Sequence, residues 1–354
     1  MRHILFAVLF FSLILPQVTT HAADFSVATA AELIAAINTA NGDAAADTIT
    51  LTADITLTAT DNTANGEGNN ALPAITSPIT IFGAGHTLQR DPSYGCPDAL
   101  PERNFRLLYV DGGANGSLTL QDITLSNGCL NNGSRRMGGA VYSDNAPITL
   151  VNVTASNNFA SSQGGAIGGT GAVILTVHNS TFSNNRTNSS GAAIGAYIVS
   201  GNDPQYDIYN STFTDNLAGN GGGAVYIESD GNSEIYSSTF SNNDGGTNRG
   251  GAISKSSSGD MDISNSNFLN NRAEGAGAIQ NSGGNMSITN STFRGNTVTN
   301  TFESYGGAIG VSSDSAAANL NVNNSTFENN TVTVDAAFEN AYGGAIAFRG
   351  NDLQ

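Results

Sequence analysis

The chain has 354 residues, 42 glycines, no tryptophan and only 12% charged residues, which excludes a bundle of amphipathic helices, whose solvent faces need Lys, Glu and Arg. A formal charge of −17, with Lys255 the sole lysine, excludes extensive phosphate neutralisation, so neither nucleic acid nor an anionic bilayer is an expected partner. Regularly placed Ile, Val, Leu and Phe exclude disorder and predict a thin core shared between repeats.

Taken in chain order, the first segment reads as an address. Arg2 precedes the apolar run "ILFAVLFFSLIL" at 4–15, then Pro16 and a polar stretch ending "THAAD". This predicts a secretory signal peptide over 1–23, cut near Ala22 or Ala23. No later segment reaches ~18 apolar residues, so no integral membrane segment is expected after its removal, and the protein is expected outside the cell or at its surface. Residues 24–45 predict an N-terminal cap. Within it "TAAELIAAINTAN" at 29–41 is a helix, with Thr29 and Glu32 spaced as a capping box and Leu33, Ile34 and Ile37 on one face. Covering the open end of a strand stack is its expected task. The alternating stretches "DTITLTADITL" at 47–57 and "SPITIFGAGHTL" at 77–88 predict the earliest coils of a β architecture that runs over 46–354. Cys96 and Cys129 suit an oxidising compartment; they lack the flanking ligands of a metal site, and a disulfide between them is the expectation.

From residue 118 the chain repeats itself. "NSTF" occurs at 179–182, 210–213, 290–293 and 324–327, always with Asn three residues after Phe. Aligning on that column places Leu125, Ala155, Phe182, Phe213, Phe240, Phe268, Phe293 and Phe327 at spacings of 25–34 residues. Five residues earlier stand Leu120, Leu150, Val177, Ile208, Ile235, Ile263, Ile288 and Val322, and apolar residues alternate with polar ones as in a half-buried strand. A second motif, from "GGAV" at 138–141 to "GGAI" at 343–346, follows each unit and starts another strand. Length variation, as in "TVTNTFESY" before 306 and "TVTVDAAFENAY" before 343, marks loops.

Units this small cannot bury an apolar face alone, and no repeat contains a helix, so the pattern predicts an all-β parallel β-helix with one repeat per coil. Phe182, Phe213, Phe240, Phe268, Phe293 and Phe327 would then stack inside. The odd interval from Val177 to Phe182 requires a turn that resets the side-chain phase. Asn152, Asn179, Asn210, Asn265, Asn290 and Asn324 are placed to make it, because Asn tolerates left-handed backbone, and they are the expected amide ladder. A second column, Asn158, Asn185, Asn216, Asn243, Asn271, Asn296 and Asn330, is expected to act likewise at the next corner. The many Asn-x-Ser/Thr triplets read as structural, since an Asn packed in a ladder cannot accept a sugar. The sequence stops at "GGAIAFRGNDLQ" before the next Phe strand, which predicts an incomplete last coil.

Chemistry is sparse. The ionisable candidates are His86, His178, Arg249, Lys255, Asp111, Asp122, Glu228, Asp230, Glu234, Asp260 and Asp262. Asp260 with Asp262, or Glu228 with Asp230, would share a strand face as a glycosidase pair must, but such spacing is usually solvated surface. Arg249 and Lys255 flank one GGAI without an identifiable acidic trio, and His178 reads as a surface residue. The glycine motifs lack the Lys and Ser/Thr of a phosphate loop and the helix of a dinucleotide site. No catalytic, cofactor or metal residue is therefore assigned, and scattered Asp could hold calcium only weakly.

The paired "GGAI" and "TFSNN" or "TFENN" motifs over 118–354 resemble the GGA[ILV] and FxxN repeats of polymorphic outer membrane proteins and, more broadly, right-handed parallel β-helix proteins of bacterial surfaces. The resemblance implies export, surface display and binding of surface glycans or proteins. A polysaccharide lyase or hydrolase acting on extended acidic glycans is the alternative, because elongated β-helices also present grooves to sugar chains.

Overall fold

The computed structural model describes residues 22–353 apart from 64–65, 114, 172, 198–204, 229, 248, 301–305, 313–317, 335–342 and 350–351. The leader through residue 21 and most of the loops expected before Gly306 and Gly343 lie outside the described residues. What is described is a solenoid of three long parallel sheets. The first has twelve strands, from Asp24–Val27 to Asp352–Leu353; the second has ten, from Ile55–Leu57 to Thr326–Glu328; the third has nine, from Leu108–Asp111 to Ile346–Arg349. Successive strands of each sheet come from successive coils, not every coil contributing to all three, and coil lies on coil in register: Leu150 opposite Val177, Val177 opposite Ile208, Phe182 opposite Phe213 and Ile167 opposite Ile194.

The coil around Phe182 shows what each letter of the repeat does. The strand Ile174–His178 buries Leu175 and Val177. Asn179 then turns the chain at φ 50°, which reverses the inward phase before the strand Thr181–Ser183 begins. Between them the Ser180 hydroxyl donates to the His178 carbonyl at 2.8 Å and accepts the Val153 N–H of the preceding coil at 3.0 Å. The same pattern recurs at Ser211, Ser238, Ser266 and Ser291, so a hydroxyl ladder satisfies main-chain N–H groups that the corner leaves without a sheet partner. Phe182 points inward with no exposed surface, and its ring stacks on Phe213 at 4.8 Å and 1°. The stack continues through Phe240, Phe268 and Phe293 to Phe327 at 4.7–5.0 Å. Each such ring contributes roughly 2–3 kcal/mol by burial, before any stacking term.

The two asparagine columns divide the work differently from the expectation. Asn152, Asn179, Asn210, Asn265, Asn290 and Asn324 all take left-handed backbone, with φ 49–55°, but their side chains are exposed and form no amide ladder. The ladder is the other column. Asn158, Asn185, Asn216, Asn243, Asn271 and Asn296 each donate Nδ2 to the Oδ1 of the next at 2.9–3.1 Å, ending on Asn330, and those from Asn158 to Asn296 are buried. The second left-handed residue stands one place earlier, at Asn157, Asn184, Asp215, Asn242, Asn270, Gly295 and Asn329. A side chain on a left-handed residue at this corner points outward, and its successor points into the coil. The argument that ladder packing shields the Asn-x-Ser/Thr triplets therefore does not hold for the first column. There the triplet is accounted for letter by letter: corner, hydroxyl ladder, strand.

The GGAI glycines serve close approach. A Cβ on Gly277 would lie 2.0 Å from the Gly307 carbonyl oxygen of the next coil, and one on Gly164, held at φ 64°, would lie 2.2 Å from the Ile167 oxygen. At the N-terminal end the helix Ala30–Ala40 carries the Thr29–Glu32 capping box and buries Leu33, Ala36, Ile37 and Ala40 against the strands Asp24–Val27 and Asp47–Leu51. Cys96 and Cys129 are joined by a disulfide with Cα atoms 5.8 Å apart. It fastens the excursion over 91–104 to the buried strand Cys129–Leu130.

Candidate functional site

Inward positions of every coil are committed to the core, so binding chemistry must use outward ones. Two outward columns of the first sheet stand out. One reads Thr176, Asp207, Glu234, Asp262, Ser287 and Asn321 in register; two residues along each strand, the other reads His178, Tyr209, Tyr236, Ser264, Thr289 and Asn323. Three successive coils thus present a carboxylate, and three overlapping coils an aromatic ring, on the same flat face. Neither column contains Lys or Arg.

The rings form a ridge. His178 stacks on Tyr209 at 4.9 Å and 12°, and Tyr236 follows one coil on with 41% of its surface exposed, among the most exposed large apolar side chains described. Ile174, 51% exposed, begins the same face beside Gln205. The acids are tied to the ridge: Tyr209 donates its hydroxyl to Glu234 Oε2 at 2.8 Å, and Gln205 donates to both oxygens of Asp207 at 3.0 and 3.2 Å. Burial and the adjacent carboxylates push the Tyr209 hydroxyl up to about 12. Partial burial, then Asp260 and Glu234, raise the Asp262 carboxyl above its ordinary value.

The other sequence candidates are spent on structure. Lys255 lies wholly inside the solenoid, where its ammonium donates to the carbonyls of Ser257 at 2.6 Å and Gly283 at 2.8 Å; burial pulls its pKa down to about 8. Arg249 lies over the Tyr226 ring at 5.1 Å, and Tyr226 donates to Glu228 at 3.1 Å. Asp260 accepts the Asn285 N–H at 2.9 Å, and Asp230 accepts the Ser258 N–H at 3.1 Å and its hydroxyl at 2.6 Å, so both acids hold turns of the next coil. Asp122 accepts from Asn152 at 2.8 Å, Asp111 from the Gly113 N–H at 3.0 Å, and His86 contacts Asp54 at 3.3 Å. In each proposed carboxylate pair one member, Asp260 or Asp230, is thus engaged in holding the neighbouring coil. Among the described residues no group of three or more His, Cys, Asp and Glu is placed to hold a metal ion.

Sequence reasoning missed one polar cluster on the outer face of the third sheet. Arg106 is fully buried with its guanidinium 4.4 Å over the Tyr142 ring, and it donates to the Arg135 carbonyl at 2.6 Å. Tyr142 stacks on Tyr109 at 5.7 Å and shares a hydroxyl contact of 2.8 Å with Thr170, which donates to Asp144 at 3.1 Å. Burial, then Asp144, raises the Glu67 carboxyl, although Arg135 stands 3.7 Å from it. Desolvation lowers Arg106 to about 10. With its guanidinium covered, this cluster pins the loop around Glu67 to the sheet rather than presenting a reactive group. Its only sequence signal is the pair Arg135–Arg136 before a GGAV unit, and nothing in it announces Glu67.

Coil-on-coil parallel pairing, the internal phenylalanine stack and the buried amide ladder define a parallel β-solenoid. Residues 166–353, just over half of the chain, match the right-handed β-helix region, and the chain belongs to that family. Residues 25–188 match the family model described as a pectate lyase-like adhesive domain. Neither a curated protein nor a solved structure matches the chain at a significant level.

Proposed function

We propose that this protein is an exported or surface-displayed adhesive β-helix that holds extended glycans on the outer face of its first sheet and does not cleave them. The observation that carries this reading is the ridge His178–Tyr209–Tyr236: aromatic side chains at one-coil intervals in an outward column, with Tyr236 and the neighbouring Ile174 exposed, give sugars an apolar surface that the fold itself does not require. The adhesive-domain match over the N-terminal half and the likeness of the repeats to polymorphic outer membrane proteins support display at a surface. A lyase would need a basic group beside the substrate, and neither outward column of this face holds a Lys or Arg.

Retention of the purified protein on immobilised glycans tests the reading. Wild type should be retained on at least one class of polysaccharide, and Tyr236→Ala should lose most of that retention while keeping the wild-type unfolding midpoint. Equal retention of the variant would refute the ridge as the binding face. Ultraviolet-absorbing unsaturated product from polygalacturonate with calcium would refute the non-catalytic reading and favour a lyase.

A further inference from the structure

We infer that the chain held on this face is a polymer of amine-bearing sugars, a cationic amino-sugar glycan, and not a polyuronate. The inference rests on the ridge being the binding face and concerns what lies beside it. Asp207, Glu234 and Asp262 occupy one outward column in three consecutive coils, each directly opposite the next across the parallel pairing. Like charges directly opposite one another in a sheet are destabilising, and the fold gains nothing from them here, since Thr176, Ser287 and Asn321 fill the same column in neighbouring coils. Glu234 and Asp262 are exposed. No Lys or Arg stands in this column or in the aromatic one, and the whole chain carries −17, so nothing on the face would offset the carboxylates of a bound polyuronate.

The spacing fits the same occupant. Stacked rings in neighbouring coils lie 4.7–5.0 Å apart, which sets the local rise of the solenoid. That rise is close to the length of one pyranose unit in an extended chain. A sugar polymer running along the axis over His178, Tyr209 and Tyr236 would therefore meet a fresh carboxylate with roughly every unit. Ammonium groups along such a chain would offset the acidic row, and N-acetyl groups would leave it uncompensated. Partial burial, then the charges of Asp260 and Glu234, raise the Asp262 carboxyl, so a neighbouring acid of the row adds to the shift without being its main cause.

The test compares three hexasaccharides by calorimetry at mildly acidic pH and low salt: fully deacetylated glucosamine, its N-acetylated counterpart and oligogalacturonate. The deacetylated chain should bind about tenfold or more tighter than the acetylated one, a gap of ~1.4 kcal/mol, and oligogalacturonate most weakly. The preference should collapse in the Glu234→Gln/Asp262→Asn double variant and shrink with added salt. Tyr236→Ala should weaken the deacetylated and acetylated ligands alike. If the acetylated chain or oligogalacturonate binds as tightly as the deacetylated one, and Tyr236→Ala still abolishes binding, the amine inference falls and the adhesive face stands. If Tyr236→Ala changes nothing for any ligand, both fall. An undiminished preference in the double variant would also overturn the inference, because the carboxylates would then not be its source.

Discussion

Replacing Asn216 by alanine tests the division of labour between the two asparagine columns. Asn216 Nδ2 donates to the Phe182 carbonyl at 3.0 Å and to Asn243 Oδ1 at 2.9 Å, while its Oδ1 accepts the Asn185 main-chain N–H at 3.1 Å and Asn185 Nδ2 at 3.0 Å. Alanine deletes all four bonds in a fully buried site. The Asn185 main-chain N–H and one Asn185 amide proton are then left without partners, at about 1–3 kcal/mol each, while the Phe182 carbonyl keeps its place in the parallel ladder. Allowing for some relaxation, the expected loss is about 2–4 kcal/mol. Asn210, six residues earlier, has the same sequence logic and a different job: it is exposed, sits at φ 51° and leaves nothing buried when truncated. Asn210→Ala should cost only the left-handed backbone strain, about 1–2 kcal/mol, and Asn210→Gly less still. Urea unfolding followed by circular dichroism on wild type and the three variants gives the ranking directly. If Asn216→Ala costs no more than Asn210→Ala, the buried ladder is not what holds the coils together and the assignment of roles is wrong.

Two further predictions concern the interior and its fastening. Lys255 is expected to make stability depend on pH: its folded pKa of about 8 lies below its ordinary 10.5, so the unfolded chain binds more protons between those values. The penalty of the buried ammonium, about 3 kcal/mol, is fully present below pH 8 and is relieved as pH rises towards 10.5. Unfolding free energies from pH 7 to 10 should therefore rise more steeply in wild type than in Lys255→Met, and identical slopes would refute the assignment. The Cys96–Cys129 bridge closes a sequence separation of 33 residues, which corresponds to about 3–4 kcal/mol in the loop-entropy model. A Cys96→Ser/Cys129→Ser variant should lose about that much and become insensitive to reductant, whereas a loss below ~1 kcal/mol would mean the 91–104 excursion is held without the bridge.

Much of the fold was legible because a solenoid writes its packing rules once per coil. Phe182, Phe213 and Phe240 recur where a stacked ring is needed, and the odd interval from Val177 to Phe182 demanded a phase reset that Asn179 supplies. What could not be read was which asparagine makes the ladder. Left-handed geometry and amide stacking both favour the same residue type, and at the second corner they fall on adjacent residues, Asn184 and Asn185. Only the direction of each side chain separates them. Nor could the place of Lys255 be read: the sequence marks it only as an ionisable residue flanking a glycine motif, whereas its position is an inward one between Ile227 and Asn281 of the neighbouring coils.

The proposed binding face was half legible, and the reason bears on where function sits in such a fold. Glu234 and Asp262 could be named as ionisable residues and His178 as an outward one, but their alignment with Asp207, Tyr209 and Tyr236 appears only when repeats of unequal length are set in register. Positions that recur coil after coil are explained by packing: removing them costs stability wherever they occur. Outward positions of the first sheet carry no such requirement, as Thr176, Ser287 and Asn321 show. A run of three acids there, each beside the next and flanked by rings, opposes the Coulomb term and gains little burial. In a repeat protein the departures from the repeat therefore carry more information about function than the repeat itself, provided they cluster on one face. Here the departures cluster over the coils from Ile174 to Ser264, and that is where loss of binding without loss of stability should be sought first.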